Sequence, residues 1–186
     1  MYPRIIVNLG HLRQNVRTMK ALCDEKGISI TGVTKVFRGD PRIAKIFLEE
    51  GLTMLGDSRV ENLKRMKDLP GEKWLIRPPM LSEAAATARF ADAALHSEWE
   101  VIQAVAEYAY RMGRQHKVIL MADLGDIREG YVDYEELLRV AARVESLPAA
   151  TLYGLGVNLT CFSFIQPDTE KLEQLARLAQ KAGEAA

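Results

Sequence analysis

The sequence is poor in the residues that staple, ligate or anchor a chain. It has two cysteines, Cys23 and Cys161, far apart and outside any C-x-x-C spacing, which excludes a disulfide framework and a cysteine-based zinc site. Three histidines, His11, His96 and His116, do not approach metal-ligand spacing, so no metal site is predicted. Neither sign of charge is in excess. The 25 Lys and Arg balance 25 Asp and Glu, leaving no basic field for nucleic acid or an anionic membrane. No apolar run is long enough to span a bilayer, and the opening MYPRIIVNLGHLRQ lacks a signal-peptide core; the expected location is the cytoplasm. Close repeats and low-complexity linkers are also missing, which predicts one domain.

What is present is the composition of a soluble globular chain, 48% hydrophobic and 27% charged over 186 residues. Short β-branched runs alternate with stretches at helical spacing, the pattern of βα units on a parallel sheet. Strands are predicted at 4–9, 28–36, 53–56, 73–77, 93–96, 116–123 and 151–159. Between them, helices are predicted at 11–23, 42–50, from Asp57 or Ser58 to 68, and at 82–90, 98–112 and 134–144, with a last one from Pro167 or Asp168 onward. Leu12, Val16, Met19 and Leu22 form the apolar stripe of the first helix, Pro41 suits a first helical turn, and Ser97 is the expected cap of the long helix. Six or seven strands fall short of a complete eightfold α/β barrel, which typically needs about 250 residues. Either the sheet is open, doubly wound and complete, or it is a barrel lacking its last units.

The stretch at 28–38, ISITGVTKVFR, carries a lysine out of the C-terminal end of a strand. Alternation sets Thr31, Val33 and Lys35 on one face and Gly32, Thr34 and Val36 on the other, so a barrel-facing Val33 would bring Lys35 inward. A partly desolvated amine at a catalytic rim is placed for imine chemistry with an aldehyde. The competing reading is a solvated lysine at a strand end.

Four runs at strand ends, VTKV at 33–36, DSRVEN at 57–62, DLGDIREG at 123–130 and GLGVNLTCF at 154–162, resemble the N-terminal barrel domain of the alanine racemase family. The similarity is strongest to the branch of ornithine and related amino-acid racemases, and it covers essentially the whole chain. It implies a fold-type III pyridoxal-phosphate (PLP) enzyme built on a (β/α)8 barrel, of which about six to seven βα units are present. Lys35 then forms the internal aldimine with PLP and serves as one of two bases for exchange of the Cα proton. In DLGDIREG the D-x-G-x-x-R-x-G spacing is met by Asp123, Gly125, Arg128 and Gly130, and Arg128 matches the arginine beside the substrate carboxylate. Asn158 stands where alanine racemases have a histidine against the cofactor ring, and as an amide it hydrogen-bonds but does not titrate. His96 and Arg77, at strand ends, are further candidates for contact with the cofactor, His96 alternatively being satisfied by backbone. Asp57, Ser58, Arg59 and Asn62 match the rim motif, or serve as a cap and ion pair.

Two positions depart from strict alanine racemases: Gly39 replaces a phosphate-binding tyrosine and Met121 replaces a lysine. The resemblance further implies that the phosphate site, the second base and a β-rich C-terminal domain lie beyond residue 186, with 4–9 originally paired to that domain. A full-length homodimer acting on an amino acid, and an inactive fragment prone to self-association, are the expectations. The rival readings are a non-catalytic PLP-binding barrel, a lyase of the D-threonine aldolase or D-serine dehydratase kind, and a scaffold that binds no PLP.

Overall fold

In a computed structural model, the structure describes residues 3–4, 6–160 and 164–185. Cys161, within the GLGVNLTCF run, lies outside them. The chain divides into two compact units, Met1–Trp74 and Leu75–Ala186, where a single domain was expected.

In the first unit, α1 (Leu9–Asp24) is capped by the Asn8 side chain, which accepts from the His11 amide at 3.0 Å. The described residues of the strand expected at 4–9 form none: residues 4 and 6–8 are irregular and Leu9 is already helical. A lone extended run with no neighbour to complete a hydrogen-bond ladder has nothing to hold it. Three strands follow in sheet order β1 (Thr31–Val33), β2 (Met54–Asp57) and β3 (Glu72–Leu75), the last lying at the boundary between the units in sequence. The β1 and β2 strands are parallel, with Thr31 opposite Met54 and Val33 opposite Gly56. The crossover α2 (Pro41–Glu49) begins with Pro41 after an Asp40 cap, which accepts from the Arg42 amide at 3.0 Å. Its Phe47 lies against Gly32, where a Cβ would come within 2.7 Å of the ring. Arg13 and Arg17 of α1 both reach Glu50 at the end of α2, at 2.8 and 2.5 Å.

In the second unit, β4 (Ala93–His96), β5 (His116–Met121) and β6 (Ala150–Gly156) lie side by side and parallel. A 3-10 turn (Leu81–Glu83) leads into α4 (Ala84–Phe90), and α5 (Trp99–Arg111), α6 (Tyr134–Val144) and α7 (Thr169–Ala185) complete the helices. We number α3 the short helix Val60–Arg65 of the first unit. Val118 and Leu120 of β5 pack against Ile102 and Ala106 of α5 and Leu137, Val140, Ala141 and Val144 of α6 to form one buried cluster. Those apolar positions recur at helical spacing, which is why α6 forms at the residues predicted. Six strands stand among the described residues, within the six or seven expected and short of the eight of a complete barrel.

Candidate functional site

Lys35 is not on a strand. The last ladder bond of β1 is made by Thr34, whose amide donates to the Gly56 carbonyl at 2.9 Å. The chain then winds into a 3-10 turn (Lys35–Phe37), with the Thr34 carbonyl accepting from Phe37 at 3.3 Å and Gly39 at 3.1 Å. The predicted alternation holds as far as Thr34: Gly32 and Thr34 are buried, Val33 and Lys35 exposed. It ends there, because Val36, placed by alternation on the face of Gly32 and Thr34, is 84% exposed on the turn. Tight winding needs an unusual exit: Arg38 is left-handed at φ 55° and Gly39 follows at φ 62°. A Cβ on Gly39 would meet the Asn62 carbonyl oxygen at 2.8 Å, so the turn sits directly on α3.

Underneath lies a buried polar network. Asp57, at the end of β2 and fully buried, accepts from the Thr34 hydroxyl at 2.6 Å, the Arg59 amide at 3.0 Å and Asn62 Nδ2 at 3.0 Å. The carboxylate therefore links the residue before Lys35 to both the entry and the body of α3. At the entry to α3 the Asp57 carboxylate accepts from the Arg59 amide, and no side chain caps the first turn of the helix. Arg65 of α3 adds a bond to the Arg38 carbonyl at 2.6 Å. On this platform a cleft of about 580 Å³ opens, lined by Lys35, Arg38, Asp57, Ser58, Arg59, Glu61 and Asn62. Lys35, Arg38 and Arg59 set three cationic residues in its lining against the carboxylates of Glu61 and the buried Asp57, a net positive balance that suits an anionic ligand.

In the second unit, Arg128 lies exposed on the loop after β5, and the motif spacing there has a local cause. Asp123 Oδ1 accepts from the Gly125 amide at 2.7 Å and the Ile127 amide at 3.2 Å, curling the loop around one carboxylate. Gly125 and Gly130 take φ of 113° and 111°. At Gly130 a Cβ would fall 2.7 Å from the Ala122 carbonyl carbon, where the loop returns so that Tyr131 pairs with Met121 and Asp123. Gly130→Ala should therefore cost about 2–3 kcal/mol, read as a lowered urea midpoint, with the strain felt by the whole Arg128 loop.

Asn158 is half-buried after β6 and its Nδ2 donates to Glu129 Oε1 at 3.0 Å, tying this loop to the neighbour of Arg128. Glu129 was not singled out in the sequence, since a contact across 29 residues depends on strand register. Two expected cofactor contacts are otherwise engaged. Arg77 makes a two-pronged bond to Glu83 at 2.6 and 2.9 Å and donates to the Pro78 carbonyl at 2.9 Å, bracing its own loop. His96 is fully buried, its Nε2 3.1 Å from Nε2 of His116, and it has no exposed surface to offer a ring. The histidine, expected either beside a cofactor or satisfied by backbone, pairs with a second histidine. Burial holds the His96 ring neutral, its basicity well below the ordinary value, and the neighbouring His116 adds to the effect.

Residues 7–186 match the family described as alanine racemase, N-terminal domain. The chain is 35% identical over 181 residues to an ornithine racemase of Acetoanaerobium sticklandii, covering 97% of this chain and 51% of that protein. It is 37% identical over 183 residues to a lysine racemase of Thermotoga maritima, with the same shares covered. Among solved structures, an alanine racemase from D-cycloserine-producing Streptomyces lavendulae superposes with a TM-score of 0.77 at 20% identity, covering 96% of this chain and 48% of that one. The chain thus spans about half the length of the curated relatives it matches.

Proposed function

The chain belongs to the alanine racemase N-terminal domain family, and from that premise we propose that it is the lysine-bearing part of a PLP-dependent amino-acid racemase. The observation that carries this reading is the exposed Lys35 amine on a braced turn, in a cleft that also holds Arg38 and Arg59. These residues fit the group: a primary amine for attachment to an aldehyde, and two guanidiniums for an anionic ligand. PLP, when bound, supplies an electron-withdrawing ring that acidifies the Cα proton of an attached amino acid. Lys35 accepts or returns that proton through Nζ, as one of the two bases that inversion at Cα requires. The Thr34, Asp57 and Asn62 bonds fix the backbone from which Nζ works. Arg128 matches the arginine that neutralises a substrate carboxylate, and Asn158 contributes an amide that orients by hydrogen bonding without changing charge.

Ornithine and lysine, named for the two relatives, are the first substrates to test, with alanine third. We place the second base and the remaining cofactor contacts in residues outside this chain, so that the whole enzyme, a homodimer, turns over while these 186 residues alone do not. The test is intact mass after incubation with PLP and borohydride, followed by peptide mapping. A single pyridoxyl adduct on Lys35 is the expected result. Labelling scattered over surface lysines would sink the proposal that Lys35 is the attachment point.

A further inference from the structure

The second unit has a cleft of about 350 Å³ lined by the start of α5, the face of α6 and Tyr131. Glu98, Glu100, Glu136, Arg139, Arg143 and Tyr131 are among the residues that line it. Tyr131 is only 7% exposed, its ring packed into the core cluster beside Trp99, yet its hydroxyl has no hydrogen-bond partner among the described residues. Ser97, expected to cap α5, does not: its buried Oγ is likewise without a partner, and it lines the same cleft. Native structures seldom leave buried hydroxyls unmatched, and two at one cleft point to a group that completes them.

The charges say which group. Three carboxylates face two guanidiniums, so the lining carries one net negative charge. Arg143 lies over the Trp99 ring at 3.9 Å and Arg139 stands 3.8 Å from Asp133. Both arginines are exposed and keep donors for a carboxylate. The Tyr131 hydroxyl is pushed up to about 12 by burial first, then by Glu136, Glu100 and Glu98, which marks a negative potential at the cleft floor. No cluster of three or more metal-ligating side chains is found among the described residues, so a bound metal ion is not the occupant these groups suit. A ligand with one carboxylate and two amines matches the lining in sign and number. The volume is at the lower end for small-molecule pockets.

We propose that this cleft binds a free amino acid with a cationic side chain, its ammonium groups toward Glu98, Glu100, Glu136 and Tyr131 and its carboxylate toward Arg139 and Arg143. The site shares no lining residue with the cleft that holds Lys35 and does not rest on the racemase reading. It is tested by calorimetric titration of the Lys35→Ala chain, which cannot form an imine at that position, with L-lysine, cadaverine and Nε-acetyl-L-lysine. Saturable binding of L-lysine is expected, and removing the ligand's carboxylate or its side-chain charge should weaken it about tenfold. Tyr131→Phe and Glu136→Gln should each weaken L-lysine binding by a similar factor. Tyr131→Phe removes an unmatched buried hydroxyl, so its melting temperature should hold or rise, which separates lost binding from lost folding. No saturation with L-lysine below about 10 mM, or unchanged affinity in either variant, overturns the proposal.

Discussion

Asp57→Ala should destabilise the first unit by about 3–4 kcal/mol, while Lys35→Ala should change stability by less than about 0.5 kcal/mol. The difference follows from what each side chain holds. Asp57 is fully buried and takes three hydrogen bonds, and its removal leaves the buried Asn62 amide and the part-buried Arg59 amide without that acceptor, while the Thr34 hydroxyl keeps only its 3.2 Å bond to the Gly56 carbonyl. Lys35 is exposed and contributes little packing. Their chemical consequences should run the other way around. Lys35→Ala should abolish the mapped pyridoxyl adduct and, in the whole enzyme, lower turnover by about a hundredfold to ten-thousandfold through loss of a proton-transfer group. Urea titration and adduct mapping on both variants check the pair. Equal destabilisation by both, or an intact adduct in Lys35→Ala, would contradict the assignment of support to Asp57 and chemistry to Lys35.

That division also marks what could be read from residue order. Helix α6 and strand β4 form at the predicted residues, because apolar spacing and turn residues are local signals. The motif at 123–130 was legible for a similar reason: one carboxylate and two positive-φ glycines build the loop within eight residues. Lys35 stands out in the sequence at the end of a β-branched run, but its setting does not. The strand expected to run to residue 36 ends at Val33, since the Thr34 carbonyl turns to the Phe37 and Gly39 amides, and alternation fails where the chain winds. Contacts across register were least legible. Nothing in the spacing of His96 and His116, Asn158 and Glu129, or Ser97 and Tyr131 announces that they share a neighbourhood. Parallel pairing through intervening helices brings such residues together.

The histidine pair gives the second large effect, a loss of stability between pH 7 and pH 5. His96 and His116 are 0% and 1% exposed, and with their Nε2 atoms 3.1 Å apart one ring must donate and the other accept, which requires the acceptor to be neutral and forbids protonation of both. Burial pushes His116 down to about 4 against the pull of the Ala91 carbonyl and Asp92, with Arg114 reinforcing the shift, and pushes His96 down as well. Their folded-state affinity for protons is thus below the unfolded value of about 6.5, so the unfolded chain binds more protons as pH falls. The stability held above pH 6.5 is lost progressively on the way down to pH 4. His116 alone accounts for about 2 kcal/mol between pH 7 and pH 5, with His96 adding in the same direction. Glu49, Glu50, Glu83, Asp40 and Asp168 are all held below their ordinary values by arginine or lysine partners, so they titrate at lower pH and leave this window to the imidazoles. Urea midpoints at pH 7, 6 and 5 should fall steadily in the native chain. In a chain carrying both His96→Leu and His116→Leu they should stay level over that range, because exchanging both buried partners for apolar groups removes the protonation difference without stranding either ring. A native midpoint that does not move, or a double variant that declines as steeply, would show that the pair is not what opens the second unit to acid.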